Sequence, residues 1–222
     1  MKFYLLLPIL LLLGNPVFSE RMVETFRTHS FYRFTFEAFH TNWIDLPDNV
    51  STNSVKNRGV RVSRVVPFKA EGPGFSFATG PSIAWEHYYQ DVYEWKFDES
   101  GQVAREGIVN DTTDFTNRLS NRYLELPVEL QYVTDGKPTD QWAFAVGLRP
   151  GWLVSATSEY STDEYTMTLS TKNNFNRFRL NTYARAGFTS FALHFGTDLT
   201  SMFSSDNPEI RTWQAGLTVS FW

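Results

Sequence analysis

Gln214-Ala215-Gly216-Leu217-Thr218-Val219-Ser220-Phe221-Trp222, the last stretch of the sequence, decides the fold. Side chains along a strand point to opposite faces in turn. Leu217, Val219 and Phe221 therefore share one face, and Gln214, Gly216, Thr218 and Ser220 share the other. The pattern predicts an amphipathic strand with an apolar face and a small or polar one.

In register, Gln214, Gly216, Val219 and Phe221, with Trp222 one residue extra, match the terminal signal by which outer-membrane barrels are recognised for assembly. An amphipathic strand ending a soluble domain has the same alternation, so evidence from elsewhere in the chain must choose. At the other end, Lys2 precedes an apolar run from Phe3 to Leu13, then Gly14, Asn15 and Pro16, with Val17 and Ser19 before a cleavage point. This reads as a secretory signal peptide over 1–19, leaving one domain over 20–222. The run is shorter than the ~20 apolar residues of a spanning helix, and the rest of the chain has no longer one. An exported chain with no cysteine must fold by pairing and packing alone. A net charge of -4 argues against a nucleic-acid partner.

Eight candidate strands follow: about 31–40, 58–69, 74–87, 122–133, 141–156, 175–188, 191–203 and 210–222. The second blurs near Arg64 and Val65, a candidate bulge. Pro81 sits awkwardly in the third, and Pro150 with Gly151 interrupts the fifth. Connections alternate between long (41–57, 88–121, 157–174) and short (70–73, 134–140, 189–190), with 204–209 moderate. Outer-membrane barrels have short periplasmic turns and longer external loops on an even number of strands. The expected fold is all-β: an eight-stranded antiparallel up-and-down transmembrane β-barrel after a cleaved signal peptide, in the outer membrane of a Gram-negative bacterium. A soluble lipocalin-like barrel is the alternative, but its water-facing residues should be Lys and Glu. Here Ala143, Ala145, Gly147, Thr218 and Ser220 occupy that face, and small residues suit a narrow lumen.

A charge at the lipid midplane costs ~2–4 kcal/mol, so strand-borne arginines are expected to point inward. The lumen is then predicted to hold Arg33, Glu37, Glu86, Glu125, Glu129, Arg149, Arg179, Arg185, His194 and Asp198 as a salt-bridged plug without a channel. Glu125 and Glu129 could act as an acid–base pair, but lumenal arginines are the expected partners. His194 is followed two positions on by Gly196 where an outer-membrane lipid hydrolase would need a nucleophile. His29, His40 and His87 have no metal-ligand spacing. No enzyme activity, cofactor or metal is expected. Trp85, Trp142, Trp152, Trp213, Trp43 and Trp222 suit the membrane interface; Trp95, in the longest connection, is a candidate partner contact.

The segment Arg122-Tyr-Leu-Glu-Leu-Pro-Val-Glu-Leu-Gln-Tyr132 resembles a strand of the PorT-like outer-membrane β-barrel family common in Bacteroidetes. Asn181-Thr-Tyr-Ala-Arg-Ala-Gly-Phe188, Phe191-Ala-Leu-His-Phe195, Leu199-Thr-Ser-Met-Phe203 and Gly216-Leu-Thr-Val-Ser-Phe221 extend the resemblance from about Gly74 to the end. It implies an eight-stranded barrel without catalytic residues, one branch of the family being tied to secretion and gliding machinery. Expected partners are outer-membrane lipid, the barrel-assembly machinery, and envelope or secretion proteins. An outer-membrane enzyme acting on lipid or peptide and a narrow channel stand as alternatives.

Overall fold

A computed structural model describes residues 34–68, 74–92, 94–96, 116–135, 141–162, 164–188, 190–204 and 209–221. The signal-peptide segment 1–19, Arg33 and Trp222 lie outside the described residues. The chain forms β1 (Phe34–Ile44), β2 (Arg58–Ser63), β3 (Val66–Phe68), β4 (Gly74–Thr79), β5 (Ser82–Tyr89) and β6 (Thr116–Glu125). There follow β7 (Val128–Val133), β8 (Trp142–Ser161), β9 (Thr166–Ser170), β10 (Phe178–Phe188), β11 (Phe191–Asp198) and β12 (Arg211–Phe221).

These pieces make eight walls, because β2/β3, β4/β5, β6/β7 and β9/β10 are each one wall interrupted once. Every neighbour is antiparallel, and β12 closes onto β1 from Phe34↔Phe221 to Ile44↔Arg211. Closure leaves the barrel wall no free edge. The terminal stretch therefore supplies the closing seam.

The faces follow the predicted parity. Phe36, Val62, Ile83, Leu124, Val128, Phe144, Val146, Phe195 and Leu217 are exposed on the outside, while Glu37, Arg61, Glu86, Glu125, Glu129, Ala145, Arg185 and His194 are buried within. Trp142 and Trp152 stand ten positions apart on the outer face of β8. At ~3.3 Å per residue and a tilt of ~40°, that is about 25 Å along the axis, the height of a lipid-facing band. No described helix is long and apolar enough to cross a membrane, which says nothing of a barrel.

Two inward aromatics fit because glycines flank them: Tyr183 lies between Gly147 and Gly196, and Phe39 has the same arrangement. Phe39 lies opposite Gly216 on one side and Gly59 on the other. A Cβ on Gly59 would come within 2.4 Å of the Phe39 ring, and one on Gly216 within 2.2 Å of the Ala38 carbonyl oxygen. The glycine of the terminal motif is thus a space requirement of the closing seam. Gly216→Val is expected to cost about 1–3 kcal/mol by overpacking. Urea unfolding in lipid vesicles checks this; an unchanged midpoint would contradict it.

Several expectations need correction. Pro150 and Gly151 do not interrupt the fifth strand: β8 runs through them. Pro150 faces the Leu126–Pro127 gap between β6 and β7, where Leu126 N–H donates to its carbonyl at 2.9 Å and the wall asks for no donor from proline. There is no bulge at Arg64–Val65. Ser63↔Ser82 and Val66↔Thr79 skip two residues on each side, so the register is kept across a break opposite Gly80–Pro81. The bulge lies between Arg122 and Tyr123, where the β8 partner jumps from Ser155 to Leu153. The fourth strand starts at Thr116 rather than Arg122, the first reaches Ile44, and the seventh stops at Asp198. Much of the expected loop 157–174 is a β8–β9 hairpin, with every β9 residue exposed.

Not all strand arginines point inward. Arg58, Arg64 and Arg122 are exposed on the outside, and Arg118 and Arg211 are partly so. Trp43 and Trp95 are not interfacial. Both are buried in a cluster with Tyr88, Leu119, Phe175, Phe203 and Ile210. Trp95 is only 1% exposed, so it serves the chain's own packing rather than a partner contact.

Candidate functional site

The barrel interior has three levels. At the loop end, the apolar cluster forms a lid: Trp43 lies 4.5 Å from Tyr88 and 5.5 Å from Trp95, and Trp95 lies 4.7 Å from Phe203 by ring centroids. At the turn end, Ala143, Ala145, Ala192 and Thr218 narrow the lumen around a void of ≈ 10 Å³, room for about one water. Between them lies the charge network.

Arg61 on β2 is its hub. Its Nε donates to Glu125 at 2.7 Å, one terminal nitrogen to Glu37 at 2.5 Å, and the other to Gln214 at 2.9 Å. Arg179 on β10 donates to both Glu86 oxygens at 2.8 Å and to Glu125 at 2.6 Å. Arg149 reaches Glu37 at 3.3 Å and lies over the Tyr183 ring at 4.0 Å. Arg185 donates to Glu129 at 2.7 Å, and Tyr183 donates its hydroxyl to the same carboxylate at 2.6 Å. Asp198 accepts from Asn181 at 3.0 Å and Thr212 at 2.6 Å. Buried charges are tolerable only when paired and hydrogen-bonded. Each charge here has such a partner, although Arg149 Nε and Nη1 and Arg179 Nε find no hydrogen-bond acceptor among the described residues. The charges come from seven walls, with Gln214 and Thr212 added by the eighth.

Of the ten lumen residues expected from sequence, Arg33 lies outside the described residues. Glu37, Glu86, Glu125, Glu129, Arg149, Arg179, Arg185, His194 and Asp198 are all buried inside. All but His194 join the network. Its hub, Arg61, was absent from the expectation although its parity opposite Val60 and Val62 was the available signal. Tyr183, Gln214 and Thr212, which complete the hydrogen bonding, carried no separate signal.

His194 stands apart. Its Nδ1 is 3.4 Å from Thr218 Oγ1 and its ring meets Phe39 edge-on. That histidine–hydroxyl separation exceeds the ≈ 2.6–3.2 Å of a working nucleophile–base pair. Both groups are buried, and Thr218 lines the ≈ 10 Å³ void.

Of the assembly-signal residues, Gln214, Gly216, Val219 and Phe221 take their places in the closing seam, pairing with Thr41, Phe39, Phe36 and Phe34. Gln214 has a second role: besides accepting from Arg61, its Nε2 donates to Glu86 at 2.9 Å.

A closed antiparallel barrel with an apolar outside and a charge-packed lumen defines a transmembrane β-barrel protein. The outer membrane protein beta-barrel domain family matches residues 47–205, and the chain belongs to that family. Among solved structures, the attachment invasion locus protein Ail of Yersinia pestis is similar over 85% of this chain and 96% of its own, at 9% identity and a TM-score of 0.36. Neisserial surface protein A is similar over 85% and 97%, at 11% identity and a TM-score of 0.35. No curated protein matches the chain.

Proposed function

We propose that this barrel is an integral protein of the Gram-negative outer membrane with a structural or interaction role, acting through its loop-end surface rather than through a pore or a catalytic centre. The observation that carries this reading is the double closure of the lumen: a tied Arg–Glu network beneath an aromatic lid. By the usual orientation of such barrels, both ends of the chain and the short turns are periplasmic and the long connections external. The exposed β8–β9 hairpin then projects outward, with Tyr165, Met167 and Leu169 available to another protein. The resemblance of the Arg122–Tyr132 and Asn181–Phe203 segments to the PorT-like family supports an envelope or secretion complex as the setting.

Reconstitution into planar bilayers tests the closed lumen, with stable ion-conducting steps contradicting it. Photo-crosslinking in cells tests the role. A crosslinker at Leu169 is expected to capture protein, and one at Leu193, in the lipid belt, lipid only. Capture of protein at neither position would count against an interaction role.

A further inference from the structure

The outer face of β5 changes chemistry in steps towards the loop end. Ile83 lies between Val62 and Leu124, Trp85 between Val60 and Arg122, and His87 between Arg58 and Ser120; Tyr89 faces Arg118. The apolar belt thus gives way to an interfacial tryptophan and then to cations. Arg58 and Arg122 are exposed, and among the described residues no acid lies within ion-pair distance of either. Arg118 differs, since it is paired with Glu159 at 3.0 Å. Arg58 is the cross-strand neighbour of His87, and Arg118 and Arg122 flank Ser120, its neighbour on the other side, so the three cations gather round that position. Arg58 and Arg122 stand two strand spacings apart and are offset by two residues, about 12 Å between backbones, a gap that two long side chains can close around one anion.

Directly above lies a cavity of ≈ 420 Å³ lined by Thr52, Asn53, Lys56, Tyr89, Asp91 and Thr116, among others. Its hydroxyls, amides and carboxylate suit hydrogen bonding to a polyol. Lys56 adds a cation 6.0 Å from the Tyr89 ring centre. Asp91 accepts from the Ser51 N–H at 3.0 Å. Burial raises the Asp91 carboxyl above the ordinary aspartate range, and that hydrogen bond opposes the shift.

We propose that this wall is a binding site for a phosphorylated glycolipid of the surrounding leaflet. Acyl chains lie on the Val62–Ile83–Leu124 belt, phosphate between Arg58 and Arg122, and sugar in the cavity above. Outward arginines with no acid partner among the described residues, at the upper edge of an apolar belt, and a polar cavity lined by Tyr89 one step further along the same face of β5, match the order of groups along such a lipid. The site rests on the outer-membrane reading proposed above.

The test titrates the full chain, folded in dodecyl maltoside micelles, with bisphosphorylated lipid A, its dephosphorylated form, phosphatidylglycerol and inorganic phosphate. Bisphosphorylated lipid A is expected to bind at least about tenfold more tightly than either other lipid, the scale of losing charge-assisted hydrogen bonds. The double variant R58Q/R122Q should lose the same factor. Arg211→Gln, on a different wall and paired with Asp45 at 3.4 Å, should keep full affinity.

Equal binding of the dephosphorylated lipid overturns the proposal, as does unchanged affinity in the double variant or an equal loss in Arg211→Gln. Inorganic phosphate binding as tightly as the lipid would assign the site to the free ion, and phosphatidylglycerol binding as tightly would remove the sugar. Should the double variant not fold, the lipid comparison on the unaltered chain still decides. Failure to insert into vesicles would sink the outer-membrane reading, whereas an inserted barrel indifferent to lipid phosphate would sink only this site.

Discussion

Replacing Arg61 by leucine is expected to destabilise the barrel by about 3–5 kcal/mol, the cost of leaving buried charges without their partner. The guanidinium is fully buried and ties Glu37, Glu125 and Gln214, which come from three other walls. Without it, Glu37 keeps only Arg149 at 3.3 Å and Arg185 at 3.9 Å, and Glu125 leans on Arg179 at 2.6 Å. Water cannot make up the difference, because the network lies between the aromatic lid and a void of ≈ 10 Å³. Adding Glu37→Gln to Arg61→Leu should recover part of the loss, since the orphaned charge is the main penalty. Equilibrium urea unfolding of the four chains in lipid vesicles gives the coupling directly. A single-variant loss below about 1 kcal/mol would match an exposed pair instead.

Trp95→Ala is expected to cost a similar amount, about 3–5 kcal/mol, as for other buried tryptophans cut back to alanine. The ring sits between Trp43 and Phe203, and Asn174 Nδ2 donates to the Trp95 carbonyl at 2.6 Å. The truncation leaves a cavity under the lid that rigid barrel walls cannot collapse into. Near-ultraviolet circular dichroism should lose its aromatic signal while far-ultraviolet strand content stays. Because the charge network below is untouched, the variant should still pass no current in a planar bilayer. If Trp95→Ala kept full stability but lost a protein crosslink, the ring would belong to a partner surface after all.

Much of this architecture is written in residue parity. Alternation between Phe36 and Glu37, Leu124 and Glu125, or Phe144 and Ala145 reports two solvents, lipid outside and a polar lumen inside, and so fixes which way each strand faces. The same alternation gave the lumenal acids and arginines without any motif. It failed where strands leave the lipid. Thr116–Asn121 and Thr157–Ser161 are strand segments with no outward apolar face to declare them, because beyond the belt both sides meet water or protein, and Thr166–Ser170 offers only Met167 and Leu169. Trp95 was misplaced for a related reason: a segment outside the strands has no period to read, whereas Trp43, on β1, shares the inward parity of Glu37, Phe39 and Thr41. Proline misled at Pro150, since its tolerance depends on the Leu126–Pro127 gap in a wall distant in sequence. The outward arginines broke the inward rule because Arg58 and Arg122 lie at the upper edge of the belt, where a long side chain can reach polar headgroups.

The absence of native cysteine makes the central claim directly measurable. Single cysteines at 143 to 148 of β8, each carrying a nitroxide label in lipid vesicles, can be relaxed separately by oxygen and by a water-soluble nickel chelate. Labels at Phe144, Val146 and Leu148 should collide freely with oxygen and hardly with nickel, while those at Ala143, Ala145 and Gly147 should be shielded from both. Oxygen exposure on the alanine positions, with nickel reaching the Phe144 side, would turn the barrel inside out and contradict the account.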